Sequence, residues 1–379
     1  MQFKDVIGQE ETKKKLILSV QENRMPHAQL FLGPEGNGKL PLALAYAQYI
    51  LCPHRTATDS CGVCPSCQKI SKLTHPDLHF VVPTTTTKSV KSNPESDLFM
   101  SEWRDYVLQK EGYVDASSWY EFLEVENKQG YISVRDAATL LRKLSFKAYE
   151  GEYKIAIIWM AEKMRVDTAN KLLKLLEEPP EKTLFIMIAE DQEELLATIR
   201  SRTSLVKVPR IEQNAMQTAL VQRLGCTPQA ASDASLVSEG NWIKACQNVK
   251  DAEDQKYYFR TFQQWMRYCF TAANRMNELI DFSNNIKTIG RERQKQLLEY
   301  GLGIVRNSLL FNNNLAQLVM LPEEEKKFNA GFAPFVKPAN MIQIADLLEE
   351  ASRQIERNGY APLIFLDCSF KMAKLLRMK

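Results

Sequence analysis

From His27 to Leu51 the chain reads HAQLFLGPEGNGKLPLALAYAQYIL. An apolar run around Leu30–Leu32 enters the glycine-bearing loop GPEGNGK, Gly33 to Lys39, and an alanine- and leucine-rich helix is expected to start near Gly38. A strand–loop–helix unit of this kind is a phosphate cradle, in which backbone N–H groups face an anion and the lysine reaches its outer oxygens. Working outward, Phe80–Val82 reads as a short strand, and KIAIIWM (Lys154–Met160) and TLFIMIA (Thr183–Ala189) are short enough to be fully buried central strands. Leu205–Val208 supplies a last one. Between them, Ser133-Val134-Arg135-Asp136 reads as a capping box opening a helix with Val134, Ala137, Leu140, Leu141 and Leu144 at helical spacing. Asp167 is placed to cap the next helix, whose Leu172, Leu173 and Leu176 share a face before Pro179-Pro180 stops it. Strands alternating with helices predict an α/β domain with a parallel sheet covered on both faces.

After Arg210 the strands cease. Short helices split at Gly225 and Gly240 are expected up to about Val249, and longer amphipathic ones from Asp251, with Met341, Ile344, Ala345 and Leu348 as one clear apolar stripe. FNAGFAPFVKP (Phe328–Pro338) reads as a connection broken by proline and glycine. The layout is α/β plus all-α: an α/β domain over 1–208, a small helical domain over 209–250 and a larger helical domain over 251–379.

Bulk composition excludes more than it identifies. At 379 residues, 25% charged and 45% hydrophobic, the chain is neither a disordered tail nor a disulfide miniprotein. Its 49 basic and 46 acidic residues leave +3, so any contact with DNA would be a local patch. No apolar run reaches the roughly 18–20 residues that span a bilayer, and a cytoplasmic protein with no membrane partner is expected.

Of eight cysteines, Cys226, Cys246, Cys269 and Cys368 are scattered and read as small buried hydrophobes. Cys52, Cys61, Cys64 and Cys67 form a Cys-x8-Cys-x2-Cys-x2-Cys array, a module of about 52–67. Two-residue gaps let thiolates turn onto one tetrahedral ion, and an all-sulfur set leaves no open position for an activated water, so the expected cofactor is a structural Zn²⁺. Disulfides or free thiols are the competing reading, and His54 is the alternative to Cys52 as fourth ligand.

The nucleotide site is informative for what it lacks. Gly33, Gly36, Gly38 and Lys39 keep the cradle, but the position after the lysine, normally a magnesium-holding Ser or Thr, is Leu40. KIAIIWM ends in Trp159 and Met160, where a phosphate-loop ATPase carries acids for metal and water, and Glu162 is the first acid beyond. Two catalytic elements are missing.

Several motifs in order give the chain a resemblance to the clamp-loader subunits of bacterial DNA polymerase III, members of the AAA+ superfamily. They are FKDVIGQE (Phe3–Glu10), PHAQLFLGPEGNGK (Pro26–Lys39), the four-cysteine array, His75-Pro76-Asp77, ANKLLKLLEEPP (Ala169–Pro180) and IRSRT (Ile199–Thr203), together covering roughly Met1 to Val208. The resemblance implies an AAA+ α/β domain, a helical lid and a C-terminal helical collar. In this family one class of subunit, delta prime, generally hydrolyses no ATP. The family's acidic pair aligns with Trp159 and Met160, its first sensor falls near Ala189–Glu190, and its second-sensor arginine falls on Ile243. Arg202 survives in SRT, where the family has Ser-Arg-Cys.

The resemblance therefore implies a stator that neither binds nor hydrolyses ATP and carries Arg202 as a trans arginine finger for an adjacent ATPase subunit. Implied partners are the gamma/tau ATPase subunits and the delta subunit, with the sliding clamp and primed DNA reached through the complex; the alternative is an ATP-hydrolysing gamma/tau-type subunit. A solvated, salt-bridged arginine is the competing reading of Arg202. For the loop around Lys39, a vestigial turn is favoured over binding without turnover. Arg135, Arg142, Lys143 and Lys147 read as a solvated helix face before they read as a DNA contact. The stretch from Thr84 to Gly130, with Phe99, Trp103, Tyr106, Trp119, Tyr120 and Phe122, is longer than the family's usual connection and reads as an inserted, locally docked piece, a partner site being the other option.

Overall fold

The computed structural model describes residues 1–125, 128–271, 276–313, 315 and 321–378, so small parts of the expected insertion and of the C-terminal domain fall outside the described residues. The chain divides into two compact units, Met1–Val249 and Lys250–Lys379.

The first unit is built on five parallel strands, β1 (Ala28–Leu32), β2 (Leu78–Val81), β3 (Lys154–Trp159), β4 (Thr183–Ala189) and β5 (Ser204–Lys207), in the order β2-β3-β4-β1-β5. This is the expected α/β architecture, a parallel sheet with the glycine loop at the end of the interior strand β1. Every residue of β3 and β4 is buried, as continuous apolar runs in a sheet covered on both faces require. Successive side chains point to opposite faces. Phe31, Ile155, Ile157, Trp159, Leu184, Ile186 and Ile188 enter one core layer, while Leu30, Ala156, Ile158, Phe185 and Met187 enter the other. Among the helices, α1 (Glu10–Gln21), α2 (Lys39–Leu51), α3 (Pro65–Ser71), α4 (Met100–Gln109) and α5 (Ala116–Phe122) belong to the first layer's side. The helices α6 (Val134–Ser145) and α7 (Val166–Glu177) pack on the second, and the short α8 (Ala197–Arg200) leads into β5.

The capping box at Ser133 is present, and Asp136 also accepts hydrogen bonds from the amide and hydroxyl of Ser96, both at 2.6 Å. Asp167 is not the cap of α7: the N-cap is Arg165, two residues earlier, and the Asp167 carboxylate accepts the Thr168 amide inside the first turn. The excursion after β2 closes on itself, with Thr84 and Tyr131 exchanging backbone hydrogen bonds at 3.2 and 3.1 Å.

Helices α9 (Gln213–Leu224) and α10 (Pro228–Ser238), with the start of α11 (Trp242–Thr271), pack around Met216, Leu220, Trp242 and Val249. The division between the two compact units falls at Val249 and Lys250, close to the expected boundary, but with no glycine or proline between Trp242 and Thr271 the helix α11 runs unbroken through it. The second unit continues with α12 (Met276–Ile286), α13 (Arg291–Asn312), α14 (Glu323–Phe332), α15 (Met341–Glu356) and α16 (Ala361–Leu375) around Phe262, Trp265, Leu297, Leu348 and Phe365. The segment Phe328–Phe332 is helical, contrary to its reading as a broken connection. Phe328 and Phe332 stack at 5.6 Å and both pack on Phe262, which holds Gly331 within the helix; the break comes at Ala333-Pro334. No described helix is long and apolar enough to cross a membrane.

Candidate functional site

β1 delivers the chain into the glycine loop, and Gly38, at φ 91°, caps α2 in the left-handed conformation that glycine adopts without strain. The Lys39 ammonium is turned onto its own loop, donating to the carbonyls of Gly33 at 2.7 Å and Pro34 at 2.6 Å and to Asn37 Oδ1 at 3.3 Å. Burial lowers its pKa to about 8 against the opposing pull of Glu190, whose carboxylate lies 4.0 Å away. Leu40 is buried in the core, so no hydroxyl stands where a metal ligand belongs. At the tip of β3, Trp159 packs on Trp103 with ring centroids 4.9 Å apart, and Met160 is buried in the same layer. Glu162 accepts the Glu190 amide at 3.2 Å through one oxygen while the other, buried, has no partner; burial pushes its carboxyl up to about 7.

The glycine loop is covered by part of the Thr84–Gly130 segment, the expected insertion. The turn between α4 and α5 places Gly112, Tyr113 and Val114 in the wall of the same cavity as Gly36–Pro41, Trp159, Ile188 and Glu190, and only about 20 Å³ is left open. That is room for about one water. The insertion is held there by Phe99, Trp103, Tyr106 and Trp119, all essentially fully buried, with the Trp119 indole donating to the Pro83 carbonyl at 3.0 Å. On the other side, the start of α11 clamps the loop: the Trp242 amide donates to the Gly36 carbonyl at 2.9 Å, and Asn241 Nδ2 donates to Glu35 at 3.2 Å. A Cβ on Gly36 would lie 1.9 Å from Asn241 Oδ1, so only glycine fits that contact.

Arg202 lies apart from this pocket's lining, in the turn between α8 and β5. Its guanidinium pairs with Glu177 at the end of α7 at 2.5 Å and donates to the Thr198 carbonyl at 3.0 Å and Ser201 Oγ at 3.2 Å. Ala189 ends β4, buried, and Ile243 is half-buried in the first turn of α11. Of the basic residues on and just after α6, Lys143 is paired with Asp97, and Arg135, Arg142 and Lys147 are exposed.

The four clustered cysteines come together at the end of α2 and the start of α3. Their sulfurs all lie within 4.8 Å of one another, with Cys52–Cys61 at 3.6 Å and Cys52–Cys64 and Cys61–Cys67 at 3.9 Å. Sulfurs about 2.3 Å from a tetrahedral ion stand about 3.8 Å apart, whereas a disulfide needs about 2.05 Å. The set fits a metal ion, and no disulfide forms among the described residues. The amides of Cys61, Cys64 and Cys67 point at Cys52, Cys61 and Cys64 sulfurs at 3.4–3.5 Å, the kind of second-layer bond that orients metal-bound thiolates. The amides of Val63 and Cys64 hold the Cys61 thiol down to about 6, while burial pushes Cys52 and Cys67 up. His54 is exposed and outside the group.

Sequence reasoning did not find Tyr113, which lies in a stretch without periodicity and meets the loop only through the tertiary fold. Nor did it explain Asp77, whose buried carboxylate accepts the amides of Tyr149, Glu150 and Gly151 at 2.6, 2.8 and 2.7 Å and so fixes the entry to β3. Its presence in the His75-Pro76-Asp77 motif was the available signal.

The family described as "DNA polymerase III, delta subunit" matches this chain over residues 8–212. The chain belongs to the DNA polymerase III delta-subunit family. The match takes in the glycine loop, the cysteine group, the insertion and Arg202, and it ends before α9. The delta-prime subunit of Bacillus subtilis DNA polymerase III is 29% identical over 210 residues, 55% of this chain and 50% of that protein. The delta-prime subunit of Pseudomonas aeruginosa is 30% identical over 176 residues, 46% of this chain and 41% of its own length. The tau/gamma subunit of Haemophilus influenzae is 28% identical over 200 residues, 53% of this chain and 22% of its own length. The chain thus spans about half the length, or less, of these relatives.

Proposed function

We propose that this member of the delta-subunit family is a delta-prime-type stator of the DNA polymerase III clamp loader, a subunit that uses no ATP of its own and acts on a neighbour's. The observation that carries this reading is the closed phosphate loop: Lys39 is spent on loop carbonyls, Leu40 is buried, and an indole stands at the tip of β3. Gly33, Gly36, Gly38 and Lys39 then serve as a vestigial structural turn. The proposed organisation is an α/β domain over 1–208, a lid over 209–250 and a collar over 251–379. Its partners would be gamma/tau ATPase subunits and a delta subunit, and through them the sliding clamp and primed DNA. Cys52, Cys61, Cys64 and Cys67 would hold a structural Zn²⁺ that ties the end of α2 to α3.

Arg202 is the proposed trans arginine finger. Its surface pair with Glu177 is the kind worth about 0.2–1 kcal/mol, a weak competitor for the guanidinium against a triphosphate held by an adjacent subunit. The isolated chain should hydrolyse no ATP, and Arg202→Ala should lower ATP turnover at the facing site of a reconstituted loader by about 10³-fold or more. Normal loader turnover with that variant would sink the finger assignment. The tau/gamma relative keeps a hydrolysing subunit as the second reading, and magnesium-dependent ATP hydrolysis by the isolated chain would establish it.

A further inference from the structure

We infer that the turn joining α4 and α5 is a built-in plug of the nucleotide pocket, with Tyr113 standing where a nucleotide would have to enter. The inference rests on reading Gly33–Lys39 as a nucleotide loop. Under it the insertion excludes nucleotide by occupying the space, an effect separate from the missing metal ligands.

Three observations converge on Tyr113. Its ring lies over the loop closely enough that a Cβ on Gly38 would come within 3.3 Å of Tyr113 Cε1. Its hydroxyl accepts the Ile7 amide at 2.9 Å, and its ring packs on Trp242 with centroids 5.7 Å apart, so one side chain joins the N-terminal segment, the loop and α11. The Arg223 guanidinium, from α9, sits 5.9 Å from the Tyr113 ring and 5.6 Å from the Trp242 ring, donates to Glu111 at 2.7 Å and also bonds the Asp5 carbonyl. These groups leave about 20 Å³ open, against the several hundred Å³ of a pocket that holds a small-molecule ligand.

The turn is held by its own hydrogen bonds. Tyr106 Oη donates to the Asp115 carbonyl at 2.9 Å and accepts the Asp115 amide at 3.3 Å, while Gly112 and Tyr113 amides bond the carbonyls of Val107 and Lys110. Behind it, the Trp103, Tyr106 and Trp119 cluster is anchored on Trp159 at the tip of β3. A plug on the same chain competes with ATP intramolecularly, so its occupancy does not depend on the concentration of a second ligand. It also holds α9 and the start of α11 by contacts that do not depend on ATP.

The test is ATP binding by the full chain, measured by equilibrium dialysis with magnesium chelated, because the site offers no metal ligand. The wild-type chain should bind no ATP at millimolar concentration. Tyr113→Ala, and a second variant with Glu111–Val114 replaced by glycines, should bind at least about tenfold more tightly than that limit. Both should still fail to hydrolyse ATP, and the Arg202→Ala effect in the loader is independent of either result, so the two proposals fail separately. Binding by the wild type equal to that of the variants, or no binding by a variant whose circular dichroism and melting show it folded, overturns the plug. Should neither variant fold, amine labelling of Lys39 in the wild type decides: slow labelling indifferent to ATP supports the plug, and labelling that ATP suppresses overturns it.

Discussion

Substituting Asp77→Asn tests whether a single buried carboxylate holds the entry to β3. In the wild type its Oδ1 accepts the Tyr149 amide and its Oδ2 accepts those of Glu150 and Gly151. Burial alone would push this carboxyl up, but the three amides outweigh it and hold the pKa below the ordinary value of 3.8. An asparagine keeps the shape but must turn an NH₂ toward at least one amide, leaving donor facing donor. Losing one hydrogen bond to a charged acceptor costs about 1.5–3 kcal/mol, and the remaining bonds weaken with the charge, so about 3 kcal/mol is expected at neutral pH. For a unit of this size that lowers the melting transition by about 6–12 °C. Because the folded-state pKa is depressed, the contribution is fully present above 3.8 and is lost as pH falls through the folded value. Urea titrations of wild type and variant should therefore differ most at neutral pH and converge in acid. A variant within about 0.5 kcal/mol of wild type at neutral pH would refute the reasoning.

Metal analysis of the purified chain should find about one zinc per chain, lost in Cys64→Ser, and a strong chelator should release it with loss of stability around α3. A Cys64→Ser chain that keeps its full metal content would show that the four sulfurs do not act as one site. Glu162 gives a pH signature of opposite sign to Asp77. Its folded pKa is raised from 4.5 to about 7, so the fold holds a proton the unfolded chain has lost, and stability falls as pH rises across that window, by at most about 3 kcal/mol. Glu162→Gln should flatten that slope in denaturation midpoints measured across the same range, and an unchanged slope would assign it to another group.

The sheet was legible because β3 and β4 are buried on both faces and so had to be written as unbroken apolar runs, which admit few other readings. The cysteine group was legible because short spacings leave the thiols little freedom to disperse. What stayed hidden depends on contacts distant in sequence. Nothing near Gly112-Tyr113 marks it as the cover of the phosphate loop; that follows only once Trp103 finds Trp159. The division at Lys250 was legible in the change from short helices to long amphipathic ones, although α11 itself passes through it without a glycine or proline to mark the place. By contrast, FNAGF looks like a break until Phe328 and Phe332 are seen to grip Phe262.

The stacking of Trp159 on Trp103 also bears on how freely this position can change. Trp159→Asp, which would place an acid where the clamp-loader resemblance aligns one, would put a carboxylate against an indole cluster and remove the ring on which the insertion rests. The result would be destabilisation and, on the proposed reading of the loop, no gain of catalysis, since Leu40 and the Tyr113 turn would remain. The aromatic contact thus couples the tip of β3 to the cover of the glycine loop, so that neither can change in sequence without disturbing the other.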